Sequence, residues 1–229
     1  MAKGNISVDS ENLFPIIKKW LYSDRDIFIR ELVSNGVDAI SKYKKLVEMG
    51  SAKEQEGYKV TVTADKDAST LTFTDNGIGM TKEEVEKYIT QIAFSGANDF
   101  LQQYENASGD GIIGHFGLGF YSAYMVSQNV EIFTKSYKDA PAVHWESDGE
   151  STYTLQETQK KERGTKIVLH LAEGEEEFLK EYRIRELLKK YCSFMPVEIY
   201  LNPKEEESNK AINDTTPLYL KDPKECTDE

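Results

Sequence analysis

The sequence predicts an α+β fold, a two-layer sandwich in which a twisted, mostly antiparallel sheet of about eight strands carries helices on one face. Three observations point there. Short segments that alternate apolar and polar residues follow one another with polar turns between them, as hairpins do. A long stretch from Asp24 to Glu48 repeats its apolar residues at helical spacing. A charged amphipathic stretch, Glu175 to about Phe194, has the same period near the other end.

The chain has 229 residues, 39 % of them apolar, with 10 Phe and 13 Tyr, enough for a core of one large domain or one domain plus a fragment. A net charge of −12 disfavours a nucleic-acid backbone as partner, because that needs a basic face. No apolar run reaches the length of a membrane span, so no membrane association is expected. Met1 to Asn5 lack the apolar core of a signal peptide, and a cytoplasmic location follows as an expectation. Cys192 and Cys226 should then stay reduced, and no Cys-x-x-Cys pair suggests a metal.

In chain order, Glu11 to Leu21 reads as a short helix that tolerates Pro15 in its first turns. Ser23-Asp24 is the expected cap of the long helix, which stops at Gly50. On it Ile29, Val33, Ile40, Tyr43 and Val47 share one side, and Glu31, Asn35, Asp38 and Lys42 the other. Taken alone, that polar stripe is the wet face of an amphipathic helix. Tyr58 to Asp65 and the segment from Thr70 read as a hairpin. Thr81-Lys-Glu-Glu84 has the form of a capping box opening a helix to about Ile92, and helical pattern resumes from Asn98 to Tyr104. Phe120 to Val126 reads as a buried helix. Val130 to Lys135, Ala142 to Trp145, Tyr153 to Gln156, Thr165 to Leu171 and Val197 to Leu201 read as strands.

Two motifs carry chemistry. Thr70-Leu-Thr-Phe-Thr-Asp75-Asn-Gly-Ile-Gly79-Met80 ends a strand on an acid beside two glycines. It is either a plain turn or a place where a carboxylate meets a flat ligand and accepts a hydrogen bond from an exocyclic amine. From Gly109 to Gly119 five of eleven residues are glycine, running straight into the Phe120 helix. Such a loop is either a hinge or a cradle of backbone N–H groups for phosphate, and it is neither a Walker A nor a Rossmann fingerprint. His115, His144 and His170 fall on a loop and two strands without ligand spacing, so structural roles are expected of them. Glu173 to Glu177 reads as a solvated helix start.

The ordered set of polar helix stripe, Asp-x-Gly-x-Gly turn, glycine loop before a helix, and Gly164-Thr165 on a strand resembles the ATP-binding fold of type II topoisomerases, sensor histidine kinases and mismatch-repair ATPases. Phe28-Ile-Arg-Glu31-Leu-Val-Ser-Asn35-Gly-Val-Asp38-Ala39 and Gly114-His-Phe-Gly-Leu-Gly-Phe-Tyr-Ser122 look like the ninety-kilodalton heat-shock protein chaperones, bacterial type, over about Asn12 to Leu201. The resemblance implies ATP or ADP and Mg²⁺ as cofactors. Glu31 would be the general base for the attacking water and Asn35 the ligand of Mg²⁺. Asp75 would take the adenine amine, with Gly79, Met80 and Thr165 completing the base pocket. Ser95, Gly114, Gly117, Gly119 and Phe120 would meet the phosphates, within or beside a mobile lid of roughly Gln91 to Phe116.

The pattern departs from the family at Phe94 and Tyr88, where a lysine and an asparagine often stand. The resemblance implies that a middle-domain arginine supplies a cation for phosphoryl transfer, so slow turnover is expected of this chain. It further implies an ATP-binding domain over 1–202, a polar linker over 203–215 and the start of a middle domain over 216–229. Client proteins would be partners of the full-length chaperone, a homodimer, whereas this chain alone would be a monomer. The other readings are a kinase-type or topoisomerase-type ATPase on the same fold, and a nucleotide-binding module without turnover.

Overall fold

The computed structural model describes residues 24–90, 119–150, 152–203 and 210–216. Helix α1, Ile27–Glu48, opens the described chain. Strands β1, Lys59–Asp65, and β2, Thr70–Asp75, follow as a hairpin, then helix α2, Lys82–Tyr88. A 3₁₀ helix, Gly119–Met125, leads into β3, Ser127–Lys135, with β4, Ala142–Ser147, β5, Thr154–Thr158, and β6, Gly164–Leu171, after it. A short 3₁₀ turn, Glu176–Leu179, precedes helix α3, Glu181–Cys192, and strand β7, Glu198–Leu201. The expected helices over Glu11–Leu21 and Asn98–Tyr104 lie outside the described residues.

Seven strands form one sheet among the described residues, against the eight or so expected, in the order β5-β4-β3-β6-β2-β1-β7. All pairs are antiparallel except β1 with β7, because α3 carries the chain across the sheet before β7 joins its edge. Alternation along the strands, interrupted by a register shift between Ser127 and Asn129, gives the sheet two faces. Val62, Phe73, Ile167, Ile132, Trp145 and Leu155 align across it on the inner face. The helices α1 and α3 and the Gly119–Met125 turn cover that face. Phe28 anchors the core: fully buried, it meets the Phe178 ring edge-on at 5.0 Å and Phe73 at 6.3 Å. The outer face carries the polar alternates, and no helix lies on it among the described residues.

Several expected boundaries move, among them the end of α2, which stops at Tyr88 instead of about Ile92. Helix α1 begins at Ile27, and Asp26 at its N-cap position makes no side-chain cap bond. Asp24 instead accepts from the Asp26 amide at 3.0 Å, and Asp26 is drawn off by Arg183 at 2.7 Å, fixing α1 to α3. The single helix expected from Glu175 is split, because Lys180 is extended (φ −86°, ψ 118°). The split lets Phe178 and Leu179 turn into the core. Glu175 is buried and paired with Arg25, so the acidic run is not simply a solvated helix start. At the other ends the sequence signals operate locally: Gly50 and Ser51 amides close α1 on Val47 and Leu46. Thr81 and Glu84 exchange both bonds of a capping box at 2.8 and 3.3 Å. Residues 210–216 return to β7, where Asn213 accepts from the Ile199 amide at 2.8 Å.

Candidate functional site

One end of the inner sheet face is polar where the rest is apolar. Asp75, the last residue of β2, pairs in register with Thr165 of β6, which pairs with Thr134 of β3. The two threonine hydroxyls lie 3.0 Å apart, and Thr134 Oγ1 also accepts from the Met80 amide at 2.9 Å. Asp75 is buried beneath α1: a Cβ on Gly36 would come within 3.3 Å of its Cβ. Its Oδ1 accepts from the Gly77 amide at 2.8 Å, the Asx turn that swings the chain off the strand. Burial pushes the Asp75 carboxyl up to about 7, against the pull of the Gly77 and Thr165 amides and of Lys160 and Arg163.

The turn after Asp75 is wedged between two elements. Ile78 donates from its amide to the Ala39 carbonyl of α1 at 2.9 Å, and the Tyr137 amide donates to the Ile78 carbonyl at 2.9 Å. Gly79 has φ +63° and its α-carbon faces the Lys135 carbonyl, so a side chain there would be both strained and blocked. From outside, the Arg163 guanidinium donates to the carbonyls of Asn76 and Gly77 and stacks on Tyr43, 3.4 Å from the ring centre.

Helix α1 supplies the other half. Glu31 is half-buried, and a Cβ on Gly119 would come within 2.5 Å of its Oε2. The last residue of the glycine-rich segment thus lies directly against that carboxylate, and burial raises the Glu31 carboxyl above its usual value. Asn35 is half-buried one turn on, and Asp38 is buried beyond it. The stripe is therefore no wet face, because the Gly119–Met125 turn packs over α1. Lys42 closes the stripe, its ammonium pulled below the usual range by burial against the fields of Asp38 and Glu84. Phe120 is buried with its ring edge toward Trp145 at 5.7 Å. The Tyr121 hydroxyl donates to the Ile89 carbonyl, joining the residues on either side of 91–118, and burial pushes it up to about 12.

Glu31 and Gly119 are thus brought together, as are Asp75, Met80 and Thr165; Gly79 lies on the turn held between α1 and β3, and Asn35 is half-buried on α1 one turn beyond Glu31. Ser95, Gly114 and Gly117, the expected lid and Phe94 lie outside the described residues. Sequence reasoning overlooked Thr134, Gly36 and Ala39. Thr134 had a signal: it continues the inward alternation of Val130 and Ile132 with a hydroxyl.

A family model described as histidine kinase-, DNA gyrase B- and HSP90-like ATPase matches residues 23–185. The chain belongs to this ATPase family. Its relatives carry the name chaperone protein HtpG. The protein of Bacteroides fragilis is 54 % identical over 100 % of this chain and 35 % of its own length. That of Porphyromonas gingivalis is 50 % identical over 99 % of this chain and 35 % of its own, and that of Bacillus velezensis 39 % identical over 100 % and 40 %. The chain therefore spans little more than a third of the relatives it matches. As an ATPase domain of this family it is a nucleotide-binding unit, and none of its described helices is long and apolar enough to cross a membrane.

Proposed function

We propose that this chain is the ATP-binding, slowly ATP-hydrolysing module of a cytoplasmic molecular chaperone of the bacterial heat-shock type, whose remaining length handles client proteins and dimerisation. The observation that carries this reading is that α1 bears on both motifs at once. Gly36 seats the helix on buried Asp75, and Glu31, five residues earlier, touches Gly119. A carboxylate at the sheet's polar end can receive the exocyclic amine of adenine, with Thr165 and Met80 beside it and Gly79 leaving room for the base. Glu31 and Asn35 lie one turn apart on the side of α1 where the glycine-rich segment arrives. Its Gly119 and Phe120 amides, with those of Gly114 and Gly117 and the Ser95 hydroxyl, would meet the phosphates.

Asn35 offers a hard amide oxygen, which suits Mg²⁺, and the ion would neutralise phosphate charge when it enters with the nucleotide. Glu31 would take a proton from the attacking water, and its raised affinity for protons moves it toward the range useful in a general base. The residues 1–202 would form this unit, with a linker over 203–215 whose end, from 210, docks back on β7, and the next domain starting at 216. Turnover is slow without a cation from elsewhere in the longer protein.

ATP hydrolysis with and without Mg²⁺, in the native chain and in Glu31→Ala, tests the assignment. A low Mg²⁺-dependent rate that falls about 100-fold or more in the variant is expected. A rate indifferent to the substitution removes Glu31 from the chemistry.

A further inference from the structure

The outer face of the sheet gathers groups that the nucleotide reading leaves unused. Glu131 of β3 lies between two histidines that the chain separates widely. His144 Nε2 on β4 is 2.8 Å from its Oε2, and His170 Nε2 on β6 is 2.7 Å from its Oε1. Glu146 stands opposite Glu131 in the β3–β4 register. Ligand atoms of Glu131, His144 and Glu146 all lie within 4.8 Å of one another.

We propose that Glu131, His144 and Glu146 form a binding site for a divalent first-row transition ion such as Zn²⁺, with His170 orienting Glu131. Each donor is already held from behind, as ligands of a built site are. The His144 ring stacks on Phe133 at 4.2 Å and 5°, which fixes its plane. Its Nδ1 is 3.3 Å from the Gln156 amide, and Glu146 Oε1 accepts from Asn129 at 2.7 Å. Ligation through Nε2 puts the ring proton on Nδ1, where Gln156 receives it once its amide turns to present oxygen.

One imidazole and two carboxylates make a borderline donor set that favours Zn²⁺ or Co²⁺ over Mg²⁺, and three protein ligands leave a position for water. With bonds of about 2.0–2.2 Å, tetrahedral ligands stand about 3.4 Å apart, so His144 and Glu131 need only separate by about 0.6 Å. The site is accessible, since the His144 side chain is 12 % and the Glu131 side chain 21 % exposed. It lies on the face opposite α1, so it would bind metal with or without nucleotide.

Calorimetric titration of the purified chain with Zn²⁺ in excess Mg²⁺ tests this, beside Glu146→Gln, His144→Ala and the control Glu48→Gln at the end of α1. One ion per chain is expected, weakened about tenfold or more in the first two variants and unchanged in the third. Imidazole ¹⁵N spectra of the native chain decide independently of variant folding: Zn²⁺ should shift His144 Nε2. No stoichiometric binding below about 1 mM Zn²⁺, equal affinity in Glu146→Gln, or an unmoved His144 resonance overturns the proposal.

Discussion

The carboxylate of Glu31 rests against the α-carbon of Gly119, so closely that a methyl group on Gly119 would stand 2.5 Å from Oε2. The helix and the end of the glycine-rich segment therefore meet at a reactive side chain, and the absence of a side chain at 119 keeps that carboxylate in place. Gly119→Ala displaces the tip of a flexible side chain rather than backbone. Its stability should change by less than about 1 kcal/mol. ATP turnover should fall about 10- to 100-fold, because a general base misplaced by an ångström loses its alignment. Thermal unfolding and a steady-state ATPase assay on the same preparation measure the two effects.

Asp75 gives folding a distinctive pH dependence. Burial raises its folded value to about 7 from an ordinary 3.8, so the folded state holds a proton that the unfolded state has released. That contribution is complete below about 3.8 and is lost as pH rises to about 7, a difference of ~4 kcal/mol. Urea unfolding at intervals from pH 5 to pH 8 should show it as declining stability. In Asp75→Asn this decline should vanish. Nucleotide affinity should run the other way, rising with pH as the carboxylate forms.

Phe28→Ala should cost about 3–5 kcal/mol by denaturant unfolding, since it empties a site closed by Phe73 and Phe178. Phe28 lies three residues before Glu31, the first of the polar stripe, and its loss would also loosen the start of α1 under Glu31. A cost below about 1 kcal/mol would mean that these rings are not the anchor of the core.

The elements most readable from sequence are those whose pattern is local. The β1–β2 hairpin, the Thr81–Glu84 capping box and the Gly50 stop of α1 each depend on neighbours within a few residues. Boundaries depart from the local pattern where a tertiary contact overrides it. Lys180 breaks a continuous helical period so that Phe178 and Leu179 can enter the core. Strand β3 starts at Ser127, ahead of Val130, across a register shift that the polar residues Ser127, Gln128 and Asn129 conceal.

Residue types at the candidate site could be read in order along the chain, but not which of them touch. Gly36 looks like a helical glycine with no purpose until β2 is laid beneath it. Thr134 becomes a neighbour of Asp75 only through the β2–β6–β3 register. The same register hides the outer cluster. His144 pairs with Phe133 and His170 with Asn129, each two residues from Glu131, so both rings reach its carboxylate diagonally. Separation along the chain gave no hint of that.

Calorimetry with ADP and Mg²⁺ on the native chain and on Asp75→Asn tests the central claim most directly. The native chain should bind one ADP, and Asp75→Asn should bind at least about 100-fold more weakly while remaining folded, because its amide presents N–H where the adenine amine needs an acceptor. Equal affinity in the two proteins would contradict the account, since the carboxylate at the end of β2 would then not be reading the purine.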